Sequence, residues 1–246
     1  MASVVESRVA LVTGGSKRVG RAIALRMGRE GFDIAFTYLS SKEEAESLVA
    51  EISGVGRRSI AIMADLTQPA AAAETIYKQV TQFAPRLDVL VNNASLYEKS
   101  ALLETDLAQL RRLWAIHVES PLMLCRAFYE MLKAASGHVV NMVDLMAERP
   151  RPEFLGYCAS KGGLATLTLG LARELAPYVT VNGIAPGVVA WPEDVPAGQR
   201  EKYLSRVPLG RAGTPEDVAE AVSFLCGGGK YMTGQILRLD GGRSIT

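Results

Sequence analysis

A regular alternation of short apolar runs with amphipathic helical stretches constrains this chain more than any other feature. Val9 to Val12 is a compact apolar run followed by Thr13-Gly14-Gly15. Arg18 to Arg29 places Val19, Ile23, Ala24 and Met27 on one helical face, and Gly31 stops it. Phe32 to Tyr38 reads as a second strand. Ser40 or Ser41 can cap a helix holding Ala45, Leu48, Val49 and Ile52, ended by Gly54 and Gly56. Ser59 to Ala64 is a third strand, Pro69 opens a helix to about Phe83, and Leu87 to Val91 is a strand leading into Asn92-Asn93. Thr105 or Asp106 starts a long helical region to Ala134, with a bend expected near Pro121. Gly137 to Val143, Thr180 to Ile184 and Ile236 to Leu239 complete the strands. Tyr157 to Leu175 and Pro215 to Leu225 are helical, and Pro186 to Val207 is the longest irregular piece.

Strands that are apolar throughout must be covered on both faces, and strand-helix alternation supplies that cover in a mostly parallel sheet. The expected fold is α/β: a single-domain doubly wound Rossmann fold with a mostly parallel seven-stranded sheet and helices on both faces. No linker-like Gly/Ser stretch divides the 246 residues, so one domain over 1–246 is expected, with a substrate lid at about 188–207. With 48% hydrophobic and 22% charged residues, the chain has enough apolar surface to exclude disorder as its main state. Lys plus Arg number 27 against 26 Asp plus Glu, which gives no global pull toward nucleic acid or an anionic membrane.

Other classes lack material. Cys125, Cys158 and Cys226 are widely spaced with no CxxC pair, so helix-packed thiols are expected rather than disulfides. With only His117 and His138 available, a zinc site is not expected. The N-terminal stretch does not look like a signal peptide, and no window has the length of a membrane span, so a cytoplasmic protein is expected.

Gly14, Lys17, Arg18, Val19 and Gly20 lie where the first strand meets the first helix, the place where a doubly wound sheet holds a dinucleotide pyrophosphate. A purely structural glycine-rich turn is the alternative. At the end of the second strand, Tyr38-Leu39-Ser40-Ser41-Lys42 carries no acid until Glu43, whereas an NAD site usually places one there. Arg18, Ser40, Ser41 and Lys42 can instead hold a 2′-phosphate, which favours NADP(H). Tyr157 and Lys161 are four apart on one helical face. An ammonium beside a phenol is expected to lower its pKa and let it exchange a proton next to a hydride acceptor.

The ordered set is more specific than any member. Thr13-Gly14 to Gly20, Asp65, Asn92-Asn93-Ala94, Tyr157-x-x-x-Lys161 and Pro186-Gly187 occur in one chain, with Leu239-Asp240-Gly241-Gly242 near its end. This resembles the short-chain dehydrogenase/reductase family over essentially the whole length. The resemblance implies that Asp65 and Leu66 sit by the adenine and that Asn92, Asn93 and Ala94 line the cofactor. It also implies that Pro186, Gly187 and Val188 lie by the nicotinamide and that Lys161 holds its ribose. Tyr157 would supply a proton while the nicotinamide supplies hydride. A homotetramer is implied, with helices near 106–134 and 157–175 as interfaces.

Departures from the common pattern narrow the branch. Arg18 replaces a loop glycine, Asp144 stands where the family has a catalytic Ser, and His117 stands where it has an Asn. Arg18, Asp144, Asn92 to Ser95, Tyr97, Asn141-Met142-Val143, Val207-Pro208-Leu209 and Lys230 to Gly234 resemble the pteridine reductase branch. That resemblance implies catalytic roles for Asp144, Tyr157 and Lys161, and a substrate site of Arg18, Ser95, Tyr97, Asp144, Tyr157 and Trp191. The branch's Arg after the second strand is Ser40 here. Three functions follow in order: an NADPH-dependent pterin reductase, a carbonyl reductase of a 3-oxoacyl thioester or small ketone, and a non-catalytic NADP(H)-binding regulator. Blander roles stand beside the sharp ones. Asp144 can cap a loop, Tyr97 can be an ordinary half-buried aromatic, and His117 can be a hydrogen-bonding core residue.

Overall fold

The computed structural model describes residues 7–191 and 195–246. Seven strands form one sheet: β1 (Val9–Val12), β2 (Asp33–Tyr38), β3 (Ser59–Met63), β4 (Val89–Asn92), β5 (His138–Met142), β6 (Thr180–Pro186) and β7 (Ile236–Leu239). Their spatial order is β3-β2-β1-β4-β5-β6-β7, and every pairing is parallel. The order reverses between β1 and β4. A crevice opens there outside the carboxyl ends of the strands, where doubly wound sheets bind ligands.

Successive strand residues point to opposite faces. Ala10 and Val12 pack with Ile34 and Phe36 under α1 (Arg18–Arg29), α2 (Lys42–Gly54) and α8 (Pro215–Gly227). Val9 and Leu11 pack with Ala35 and Leu90 under α3 (Pro69–Phe83), α5 (Ser120–Ala135) and α6 (Leu155–Glu174). Two cores, one on each side of the sheet, account for strands that are apolar at consecutive positions. Cys125, Cys158 and Cys226 are free and buried in these helices, and burial pushes the Cys125 and Cys226 thiols up to about 12.

Three local expectations are corrected. The long helical region begins as expected with Asp106 capping Gln109 N in α4 (Leu107–Trp114). Its irregularity, however, is a π-helical turn at Ala115–Glu119, before Pro121. Pro121 lies in the first turn of α5, where its missing N–H deprives the helix of little. Second, the stretch 186–207 contains α7 (Ala197–Leu204), a helix with no buried residue and hence no apolar period to read. Third, Ser41 occupies the N-cap position of α2, but its side chain makes no capping bond.

Candidate active site

The β1–α1 loop is braced from β4. Asn93 Nδ2 donates to the carbonyls of Thr13 and Gly14 at 2.8 and 3.1 Å. Thr13 Oγ1 accepts from the backbone N–H groups of Asn93 and Ala94. Gly14 has φ +61, and a Cβ at Gly20 would lie 2.1 Å from the Gly14 carbonyl oxygen, so glycine is required at both by backbone geometry alone. Asn92 is turned elsewhere. Its side chain is buried and donates to Asn141 Oδ1 at 2.8 Å, and Asn141 in turn donates to Thr168. Asn92 thus ties β4 to β5 and α6 through its side chain.

The donor set at this loop fits a phosphorylated dinucleotide. Arg18 opens α1 with φ +50, and its guanidinium makes one long bond, 3.5 Å to the Trp191 carbonyl. Ser40 and Ser41 follow β2 with no carboxylate at its end. The neighbouring cations are engaged: Lys17 lies 2.6 Å from Glu44, and Lys42 lies 3.8 Å from Glu46. Asp65 uses its carboxylate to cap the N–H and hydroxyl of Thr67 beside buried Leu66. At the far end of the crevice Gly187 N donates to Leu239 O, and Val188 N donates to the Tyr203 hydroxyl.

Asp144, Tyr157 and Lys161 come together where β5 and α6 meet. The Tyr157 hydroxyl donates to Asp144 Oδ2 at 2.8 Å. Asp144 Oδ1 accepts from Met146 N at 2.7 Å, so the same carboxylate caps a short 3₁₀ turn and holds the phenol. The capping bond and the bond from Tyr157 coexist on one carboxylate. Lys161 is 2% exposed, and its Nζ donates to the Met142 carbonyl at 2.8 Å. Burial pulls its pKa down to about 8, with the Asp144 charge opposing.

The electrostatics reverse one expectation. Tyr157 lies well above the ordinary phenol range, because burial and then the adjoining Asp144 carboxylate both disfavour phenolate. Lys161 points to Met142, and its Nζ is 5.7 Å from the centre of the Tyr157 ring. The ammonium therefore does not lower the phenol. Burial raises the Asp144 carboxyl above its usual range despite bonds from Met146 and Tyr157. In this state the pair is a neutral phenol donating to a carboxylate with enhanced proton affinity.

The cleft wall is aromatic. Tyr97 is 48% exposed, stacks on Phe154 at 4.7 Å between centroids, and meets Tyr157 edge-on at 4.9 Å. One face of Tyr97 is thus covered by Phe154. Trp191 meets Tyr203 of α7 edge-on at 5.4 Å. Pro192, Glu193 and Asp194, within the expected lid at about 188–207, lie outside the described residues. Phe154 and Tyr203 escaped the reading of the sequence. Phe154, three residues before Tyr157 at the start of the same helix, was the more accessible of the two. Among the described residues no cluster of His, Cys, Asp and Glu could hold a metal, and no described helix is long and apolar enough to cross a membrane.

A parallel seven-stranded sheet with its crevice at the β1/β4 switch, a glycine loop and a buried Tyr-Lys pair together define a nicotinamide-dependent oxidoreductase of Rossmann type. Comparison with known proteins gives the family. A profile described as enoyl-(acyl carrier protein) reductase matches residues 15–244. The 3-oxoacyl-[acyl-carrier-protein] reductase FabG of Staphylococcus aureus is 36% identical over 245 residues, covering 96% of this chain and 98% of the relative. A blue fluorescent protein from a metagenomic library, solved in complex with NADPH, superposes with a TM-score of 0.90 at 36% identity, covering 96% of this chain and 98% of that one. The acetoin dehydrogenase YohF of Salmonella typhimurium superposes with a TM-score of 0.89 at 30% identity, covering 98% and 97%. The chain belongs to the short-chain dehydrogenase/reductase family and is an NADP(H)-dependent oxidoreductase.

Proposed function

We propose that this protein is an NADPH-dependent reductase of a pterin such as dihydrobiopterin, dihydromonapterin or dihydrofolate. The observation that carries the reading is the 2.8 Å hydrogen bond from the Tyr157 hydroxyl to Asp144. A hydroxyl in the place of Asp144 would donate to a carbonyl oxygen. An ionised carboxylate accepts only, and so suits a substrate edge bearing N–H donors. The raised carboxyl also takes up a proton from solvent more readily than an ordinary aspartate and can pass it to Tyr157. When bound, the cofactor would supply a hydride to the carbon of a C=N bond, NADPH becoming NADP⁺. Tyr157 protonates the nitrogen, and Asp144 then reprotonates Tyr157. Ser95 and Tyr97 offer the pterin a polar group and an aromatic face, Trp191 an apolar wall. Gly14, Arg18, Val19, Gly20, Ser40, Ser41, Asp65, Leu66, Asn93, Ala94, Lys161, Pro186, Gly187 and Val188 are the residues proposed to hold the cofactor.

The similar proteins support a second reading more directly than this one. Their names, a 3-oxoacyl-[acyl-carrier-protein] reductase and an acetoin dehydrogenase, favour a carbonyl substrate, either a 3-oxoacyl thioester or a small ketone. There Tyr157 protonates the carbonyl oxygen, and Asp144 contributes only when it is itself protonated. For either substrate we propose a homotetramer, supported by exposed Leu107, Trp114 and Leu122 along α4 and α5 and exposed Leu169 on α6.

NADPH consumption by the purified protein with dihydrobiopterin, dihydromonapterin, dihydrofolate and an acetoacetyl thioester separates the two. Turnover of a pterin is expected, and Asp144→Ser is expected to lower it by about a hundredfold while affecting thioester turnover less. Turnover of the thioester alone refutes the pterin reading and leaves the carbonyl one.

A further inference from the structure

The π-helical turn Ala115–Glu119 sits against the start of α6, and His117 within it is 1% exposed. Both of its ring nitrogens are engaged. Nε2 lies 2.7 Å from Ser95 Oγ, and Nδ1 lies 2.8 Å from Ser160 Oγ. Counting hydrogens fixes the direction of each bond. Ser160 has one hydroxyl hydrogen. Its oxygen also lies 2.8 Å from the Tyr157 carbonyl, which can only accept. That hydrogen goes to the carbonyl, so Nδ1 must carry a proton and donate it to Ser160. In a neutral ring Nε2 is then bare, and the Ser95 hydroxyl donates to it at 2.7 Å, because its other acceptor, the Leu96 carbonyl at 3.5 Å, is too long to hold the hydrogen. Ser95 is exposed, and its hydroxyl is near enough to Tyr157 to act on the phenol's pKa. With the Ser95 hydrogen committed to His117 and the Tyr157 hydrogen committed to Asp144, neither hydroxyl has a hydrogen left for the other in this state.

We propose that His117 is a positioning residue: a neutral imidazole protonated at Nδ1, it takes the Ser95 hydrogen, holds the Ser95 hydroxyl in place at the crevice, and carries no proton to Tyr157. A relay through the ring would need protons on both nitrogens at once. Burial first, and then the Lys161 ammonium, hold the ring pKa down to about 2, far from such a state. The ring also stands edge-on to Tyr157 at 5.5 Å between centroids, so it forms part of the wall that orients the phenol. Protons reach Tyr157 from the Asp144 side. The inference holds for either substrate class, because no substrate atom enters it.

The chain has two histidines, His117 and His138, so the full-length protein labelled with nitrogen-15 histidine gives a simple ring-nitrogen spectrum that a His138→Gln variant assigns. The expected result is a His117 ring with protonated Nδ1 and bare Nε2, unchanged between about pH 5 and about pH 9. An Nε2–H ring, or titration within that range, overturns the proposal whatever the substrate proves to be. Turnover gives the second readout, with whichever substrate is reduced. In His117→Gln the amide can donate to Ser160 and accept from Ser95, so activity stays close to wild type with the same pH profile. His117→Phe and Ser95→Ala each lose about tenfold in kcat, and the double variant loses no more than one of them. A Gln variant as impaired as the Phe variant, or one with a displaced limb in its pH profile, makes the ring a proton carrier and refutes the proposal.

Discussion

Two carboxylates sit at opposite ends of the sheet, Asp33 fully buried and Asp144 half-buried, and they shift in opposite directions. Asp33 opens β2 and is 1% exposed, with Arg57 and Arg58 at 2.8 and 2.7 Å. Burial pushes its carboxyl up, but the Arg58 and Arg57 bonds outweigh burial and hold it below the usual range. Asp144 follows β5 at the other end of the strands. It receives one backbone N–H and one phenol, and among the described residues no guanidinium forms an ion pair with it, so burial prevails and the carboxyl is raised. The difference is one of compensation. At the amino ends of the strands a charge is fully paired and holds β2 to the start of β3. At the carboxyl ends a charge is left short of partners, which raises its proton affinity where chemistry occurs.

The largest expected effect removes the group that Asp144 serves. Tyr157→Phe should lower turnover by about a thousandfold or more while leaving NADPH affinity near wild type by fluorescence titration. Near-wild-type turnover would strip Tyr157 of its role as the acid. The Asp33 end should be indifferent to this change.

Next comes the contrast itself, read as stability against pH. Asp33 has a folded pKa below its unfolded one, so its contribution is present above the unfolded value and is lost as pH falls through the folded one. Asp144 has a raised folded pKa, so its contribution is present below the unfolded value and is lost as pH rises through the folded one. At neutral pH, Asp33→Asn should destabilise by about 2 kcal/mol, with kcat per folded molecule unchanged. Asp144→Asn should instead leave stability unchanged or raise it by about 1 kcal/mol and cripple turnover. Urea unfolding of both variants, at neutral and acid pH, checks the pair. Equal losses of stability would erase the distinction between the two ends.

The smallest effect concerns the cofactor. Ser40→Arg should sharpen preference for NADPH over NADH by about tenfold, measured as the ratio of kcat/KM values. No change would place the 2′-phosphate away from the end of β2.

Much of this architecture was legible in the chain. The seven apolar runs, the helical faces of α1 and α2, and the Asp106 cap are local patterns, written by residues within a few positions of one another. The glycine loop and the Tyr157/Lys161 spacing were equally local, and the structure brings both to the crevice. The bond from Asn92 to Asn141 was not legible, because a strand residue's direction depends on what crosses it, here Asn141 of β5. The effect of Lys161 on Tyr157 was misjudged because helical spacing puts two side chains on one face without saying where the longer one reaches. It reaches the Met142 carbonyl.

The sequence by itself determined the class of fold, the place of the glycine loop and the spacing of Tyr157 and Lys161, because periodicity and short spacings survive without a third dimension. Only the tertiary structure decided the direction of each proton. Tyr157 donates to Asp144 across a separation of 13 residues, and His117 joins Ser95 and Ser160 across separations of 22 and 43. Hydrogen-bond direction depends on which single hydrogen is left once every partner is counted, and those partners meet only when β4, β5, the π-turn and α6 are packed together.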